Sequence, residues 1–256
     1  MSIGDDELDR RHAASQRVAY RVLAAGSPGG RMFELERGVQ GSVVPVLPDR
    51  SLFNAVLFGD REPLLAGLEE LGRRYEEAGI RAWTVWTRPG DTETPRALRA
   101  AGHAHDGEPM FMAALLEEIA LEPRIELTLG RPGDWTALAR CNDAAYGVDP
   151  GSFERALAGI DDPAARAYVA LDGGEPVAAA GTIVHDGDVW FLFVATVPRA
   201  QRRGLASELM RHALREARAE GARTTSLEAS AQGEPVYARM GYRSLGRLGM
   251  WERRKA

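Results

Sequence analysis

The stretch from Val189 to Ala217 constrains this chain most. Val189 to Val197 is an apolar run rich in β-branched and aromatic residues, which reads as a buried strand ended by Pro198. A basic, glycine-bearing turn follows, Gln201-Arg202-Arg203-Gly204-Leu205-Ala206. After it, apolar residues recur at helical spacing, at Leu205, Leu209 and Ala213 and at Ala206, Met210, Leu214 and Ala217. The pattern is strand, turn, helix. The start of such a helix offers unpaired N–H groups and the positive end of its dipole. Arg199, Arg202 and Arg203 add charge there, and the small Gly204 and Ala206 let a ligand approach the main chain. A pyrophosphate suits this combination.

The totals narrow the classes. A chain of 256 residues suits one large domain or two small ones. A net charge of −5 argues against a general nucleic-acid binder. No apolar run is long enough to span a membrane, and the charged opening Met1 to Arg11 has no signal-peptide core, so a cytoplasmic location is expected. The lone cysteine, Cys141, excludes an internal disulfide and reads as a small buried side chain. No spacing among the histidines and Cys141 suggests a metal site.

Along the chain, periodicity predicts a helix over 7–24, strands over 32–36, 42–47 and 52–58, and a helix from Pro63 to Ala78. A strand over 81–87, a short helix over 94–101 and a strand over 109–116 complete the first half. Glu122-Pro123-Arg124 is a short junction, which divides the chain into residues 1–122 and 123–256 with the halves packed together. Beyond it come a strand over 125–129 and two helices, one capped by Asp134 and running to Tyr146, the other capped by Ser152 and running to Ile160. Strands over 167–171 and 177–184 follow, then the opening stretch, a strand over 224–229, a short helix over 235–240 and a last strand over 244–251.

The two halves repeat one order of elements. Leu98-Arg-Ala-Ala-Gly-His103 parallels Tyr237-Ala-Arg-Met-Gly-Tyr242, and the run from Leu52 to Phe58 parallels the one at Trp190. They differ at the turn. After Phe58 the first half places Asp60 and Glu62 where a pyrophosphate would lie, and like charge opposes it.

The C-terminal half, from about residue 124 to 252, resembles the GNAT superfamily of acyl-CoA-dependent N-acetyltransferases. The family's turn, Gln/Arg-x-x-Gly-x-Gly/Ala, stands as Gln201 to Ala206, and its late Tyr-x-x-x-Gly-Phe/Tyr segment as Tyr237 to Tyr242. Thr196 stands where valine is commoner, and Ala206 replaces the third glycine. The resemblance implies a tandem protein with a degenerate first copy. The implied fold is α/β (α+β), a mixed, mostly antiparallel twisted sheet with flanking helices, in two copies.

It also implies a site. Acetyl-CoA would run along Val194, Ala195 and Thr196, and the amides of Gln201, Arg202, Arg203, Gly204, Leu205, Ala206 and Ser207 would cradle its pyrophosphate. A main-chain N–H near Thr196 would serve the oxyanion. Tyr237 is the candidate acid toward the leaving thiolate, since a phenol with a pKa of ~10 is protonated at neutral pH. Glu228, on the preceding strand, is the candidate base, ahead of Glu234 and Glu154. The expected partner is a small-molecule or peptide amine, with no metal, no nucleic acid and no membrane, and the protein is expected to be a monomer or homodimer. A non-catalytic acyl-CoA sensor is the alternative.

Overall fold

A computed structural model describes residues 3–35 and 38–255. The first half runs α1 (Asp5–Gly26), β1 (Arg31–Leu35), β2 (Val39–Val43), β3 (Ala55–Leu57), α2 (Arg61–Glu77), β4 (Ala82–Thr87), α3 (Glu93–Ala100), β5 (Ala104–Gly107) and β6 (Met110–Leu115). The second runs β7 (Thr128–Leu129), α4 (Trp135–Tyr146), α5 (Ser152–Leu157), β8 (Ala165–Asp172), β9 (Glu175–His185), β10 (Asp188–Thr196), α6 (Leu205–Ala219), β11 (Thr224–Ala229), α7 (Glu234–Met240), β12 (Arg243–Arg247) and β13 (Gly249–Arg254).

Two sheets result, in the order β1-β2-β3-β4-β13-β5 and β7-β8-β9-β10-β11-β6-β12. Each has one parallel pair, β3 with β4 and β10 with β11, among antiparallel neighbours. The expected fold class stands: mixed, mostly antiparallel sheets with flanking helices, in two copies. Each parallel pair is joined by its long helix, α2 or α6, because parallel neighbours need a crossover.

The halves exchange a strand. β6, the last strand of the first half, lies between β11 and β12 of the second sheet. β13, the last of the second half, lies between β4 and β5 of the first. The run expected as one strand over 244–251 is therefore two, serving different sheets. It breaks at Leu248, which is buried and donates its N–H to Pro109 O at 3.0 Å. Pro109 is itself in the link between β5 and β6, so the two crossing points touch. Chain order thus separates 1–122 from 123–256, whereas sheet membership differs from it by one strand in each direction.

Smaller departures have local causes. The strand expected over 42–47 ends at Val43, because Pro45 cannot donate to a ladder and Asn54 pins the loop, accepting from Val44 N at 2.7 Å and donating to Leu47 O at 2.9 Å. The same loop shortens the 52–58 strand to Ala55–Leu57, and the 125–129 strand shrinks to its exposed last two residues. Glu36, the expected end of an early strand, lies outside the described residues. Asp134 caps α4 as expected, accepting from Ala137 N at 2.8 Å. Ser152 does not cap α5. Gly151 is the N-cap, and Asp143 of α4 does the capping, accepting from Gly151 N at 2.7 Å and Phe153 N at 3.0 Å.

Helix α1 binds the halves together. Its Ala19, Val22 and Leu23 enter the large core of the second sheet, while Leu8 and Tyr20 join Trp86, Phe111 and Leu248 in a cluster between the sheets. Trp83, Trp86, Trp190 and Trp251 are all core residues. No helix among the described residues is long and apolar enough to cross a membrane.

Candidate active site

β10 and β11 pair from Asp188 opposite Thr224 to Phe191 opposite Leu227, then part. On its other edge β10 stays with β9, but the register shifts between Leu192 and Ala195. At this bulge Phe193 has φ +51, a left-handed conformation costing a non-glycine residue roughly 1–2 kcal/mol. Neighbours hold it there. Asn142, fully buried in α4, donates to Phe193 O at 3.1 Å and Leu138 O at 3.0 Å. The Phe193 ring packs on Phe53 of the first half and Phe153 of α5, with centroids 5.7 and 5.4 Å away. The edge of β10 turned from β9, across Val194, Ala195 and Thr196, therefore has no strand partner among the described residues. Unpaired edge amides of this kind can bind an extended amide-bearing ligand.

That edge leads into the basic turn. Two residues there have positive φ, Arg202 at 65° and Gly204 at 79°, and Gly204 is the N-cap of α6. The first backbone bond of α6 runs from Glu208 N to Gly204 O, so the amides of Leu205, Ala206 and Ser207 precede it. Gln201 to Gly204 are exposed, and neither Arg199 nor Arg202 has an ion pair among the described residues. Arg203 pairs with Asp172 at 2.6 Å. The one acid in the first turn of α6, Glu208, is buried and compensated: it accepts from Arg124 N at 2.9 Å and lies 3.4 and 3.5 Å from Arg211 and Arg215.

Tyr237 lies within α7, its ring 6.0 Å from that of Tyr242, which is anchored by a 2.9 Å bond to Thr225 Oγ1. A Cβ on Gly233 would meet Tyr237 Cε2 at 2.8 Å, so the glycine makes room for the ring. Burial, and secondarily the nearby Tyr146, pushes the phenol above its ordinary value, which keeps its proton in place. No hydrogen bond engages its hydroxyl among the described residues.

Glu228 occupies the other face of β11. Thr224 and Ser226, which share its side by alternation, hydrogen-bond Asp188 at 2.8 and 2.7 Å, and Ser15 of α1 joins them at 3.0 Å. Glu228 follows the last β10–β11 pair, so it stands where the strands diverge. Its Oε1 accepts from His12 Nε2 and Gln16 Nε2, both at 3.0 Å. No hydrogen bond joins Glu228 to Tyr237 among the described residues.

Of the other candidates, Glu154 pairs with Arg140 at 3.3 Å and Glu234 with Arg247 at 3.6 Å. Cys141 is buried, and burial pushes its thiol up to about 11. In the first half the buried Leu98 takes the place of Tyr237, and Asp60 is the N-cap of α2. His12, Gln16, Phe53 and Asn142 are the site residues that sequence reasoning did not single out.

Residues 135–242 match the model of the Acetyltransferase (GNAT) family. The match runs from the start of α4 to the residue before β12. Solved structures extend the likeness to the whole chain. A GCN5-related N-acetyltransferase from Kribbella flavida is similar at 16% identity and TM-score 0.69, covering 96% of this chain and 95% of that one. A tandem GNAT protein from the clavulanic acid biosynthesis pathway is similar at 13% identity and TM-score 0.60, covering 96% and 95%. A functionally unknown conserved protein from Staphylococcus epidermidis has TM-score 0.66 at 13% identity, covering 89% and 95%. At these identities the likeness is one of fold. No curated protein matches the chain.

Proposed function

We propose that this protein transfers an acetyl group from acetyl-CoA to a primary amine by direct attack in a ternary complex, with residues 123–256 as the catalytic unit and 1–122 as the degenerate copy. The observation that carries the reading is the edge of β10, unpaired across Val194 to Thr196 among the described residues, running into the exposed turn before α6, with Tyr237 on the helix that follows the diverging β11. The Val194–Thr196 edge suits the amides of pantetheine, and the turn from Gln201 to Ser207 suits a pyrophosphate. The acceptor amine, neutral, attacks the thioester carbonyl. A main-chain N–H of the bulge stabilises the oxyanion of the tetrahedral adduct. The adduct collapses with cleavage of the C–S bond, and the thiolate takes the proton of Tyr237. The proton released by the amine passes to Glu228 Oε2, directly or through water.

Thiol release from acetyl-CoA across a panel of amines tests this, with Tyr237→Phe beside the parent. The expected result is turnover by the parent, a loss of about 10²-fold or more in kcat for Tyr237→Phe, and an unchanged Kd for CoA. Tight CoA binding with no turnover on any amine would favour a sensor instead.

A further inference from the structure

We propose that His12, fixed by Arg88, is a positioning residue for Glu228, so that the N-terminal half completes the transfer site of the C-terminal half. The inference rests on the role given to Glu228 above.

Arg88 Nη1 lies 3.0 Å from His12 Nδ1. A guanidinium has donors only, so Nδ1 must accept, and the ring is a neutral imidazole with its hydrogen on Nε2. That hydrogen points to Glu228 Oε1, 3.0 Å away. Arg88 therefore selects the tautomer, and the tautomer holds the carboxylate. Gln16, one helical turn after His12, is the second donor to the same oxygen. Oε1 is thereby occupied, and no hydrogen bond engages Oε2 among the described residues. One oxygen orients the group while the other stays free to take a proton.

The scaffold around this chain comes from the first half. Arg88, in the link between β4 and α3, pairs with Asp9 of α1. The His12 ring, fully buried, packs on Phe111 with centroids 4.3 Å apart, and Arg88 lies over the same ring at 5.3 Å. Phe111 belongs to the exchanged strand β6 and stands opposite Glu228 in register. A cavity of ≈ 220 Å³, lined in part by Gln16, Arg17, Trp86 and Arg88, adjoins the network from the first-half side. A degenerate copy serving only as packing would need no buried imidazole aimed at a carboxylate, because apolar side chains fill such space without desolvating polar groups.

The test uses the full chain labelled with 15N-histidine. Long-range 1H–15N correlations at neutral pH should show His12 as a single neutral tautomer protonated at Nε2. Glu228→Gln should shift that nitrogen's resonance, and Arg88→Met should release the ring to a mixture of tautomers. A ring protonated at Nδ1, or at both nitrogens, would overturn the proposal. Kinetics provide the second arm, with acetyl-CoA and whichever of spermidine, kanamycin and tyramine the parent turns over. His12→Leu should lower kcat about tenfold with KM for acetyl-CoA unchanged, and His12→Gln, which keeps a donor, should recover most of it. Equal kcat in the parent and His12→Leu would also overturn it. A parent that turns over none of the three amines sinks the transfer reading, while the tautomer result still decides whether Arg88 and His12 hold Glu228 as described.

Discussion

Replacing Gly204 separates the two properties of the basic turn. Its φ of +79° strains any L-residue by roughly 1–2 kcal/mol. Space is not the obstacle, since a Cβ there meets nothing nearer than Ile125 Cδ1 at 4.0 Å. Gly204→Ala therefore isolates the backbone term. At about 2–4 °C per kcal/mol for a chain of this size, its Tm should fall by roughly 2–8 °C, with CoA affinity within a few-fold of the parent. Gly204→Glu adds a carboxylate to the same strain. At ~4 Å from one phosphate charge the repulsion is about 1 kcal/mol in bulk water and about 4 kcal/mol at an effective dielectric of ~20, so two phosphates make it about 2–8 kcal/mol. With tenfold in Kd for every ~1.4 kcal/mol, CoA binding should weaken by at least about 30-fold. Added salt should restore part of the loss. Isothermal titration with CoA, with thermal unfolding to confirm that both variants fold, supplies the numbers. If Gly204→Glu bound CoA as tightly as Gly204→Ala at low salt, the turn would not be the pyrophosphate cradle.

Three further outcomes can be checked. Residues 123–256 expressed alone lack β6 between β11 and β12, so they should fail to give a cooperative unfolding transition, and co-expression with residues 1–122 should restore it. Asn142→Ala removes the buried tie to Phe193 O and should destabilise the fold by about 1–3 kcal/mol in chemical denaturation, with weaker CoA binding as the bulge relaxes. Burial holds the His103 imidazole below its usual 6.5. The unfolded chain therefore binds the proton first, so this group's stabilisation is intact above 6.5 and is lost as the pH falls through the lower folded value. Tm should drop over that window, and His103→Asn, which keeps a donor toward Trp251 O, should flatten the step.

The strand, turn and helix proposed to hold the cofactor were legible because their pattern is local. A turn of small residues between an apolar run and a helix is contiguous in sequence, and Tyr237 stands four residues before a helix-ending glycine. The strand exchange was not legible. Apolar alternation reports that 244–251 is buried, not which sheet buries it, and Leu248 is as apolar as its neighbours. β5 escaped notice because Ala-His-Asp-Gly is exposed and polar, and only β13 makes it a strand. The bulge is invisible too, since Phe193 continues the apolar run. For the proposed base, the sequence offered Glu228 but not its donors. His12 and Gln16 share a helix face with Leu8, Ala19 and Tyr20, where spacing marks burial and says nothing of a carboxylate more than two hundred residues away.

The crossed strands also set a timetable for making the protein. β4 and β5 each present an edge that only β13 closes, and β13 spans residues 249–254. Synthesis at about 5–20 residues per second leaves roughly 7–30 s between the appearance of Gly107 and that of Arg254. For that interval the first sheet has an unfilled slot beside the buried β4, a template for any passing strand. The exposed, polar β5 makes the slot's outer lip a poor one for strangers to join. The nascent chain must keep its first half open until β13 has been made, so the two halves mature together as one body.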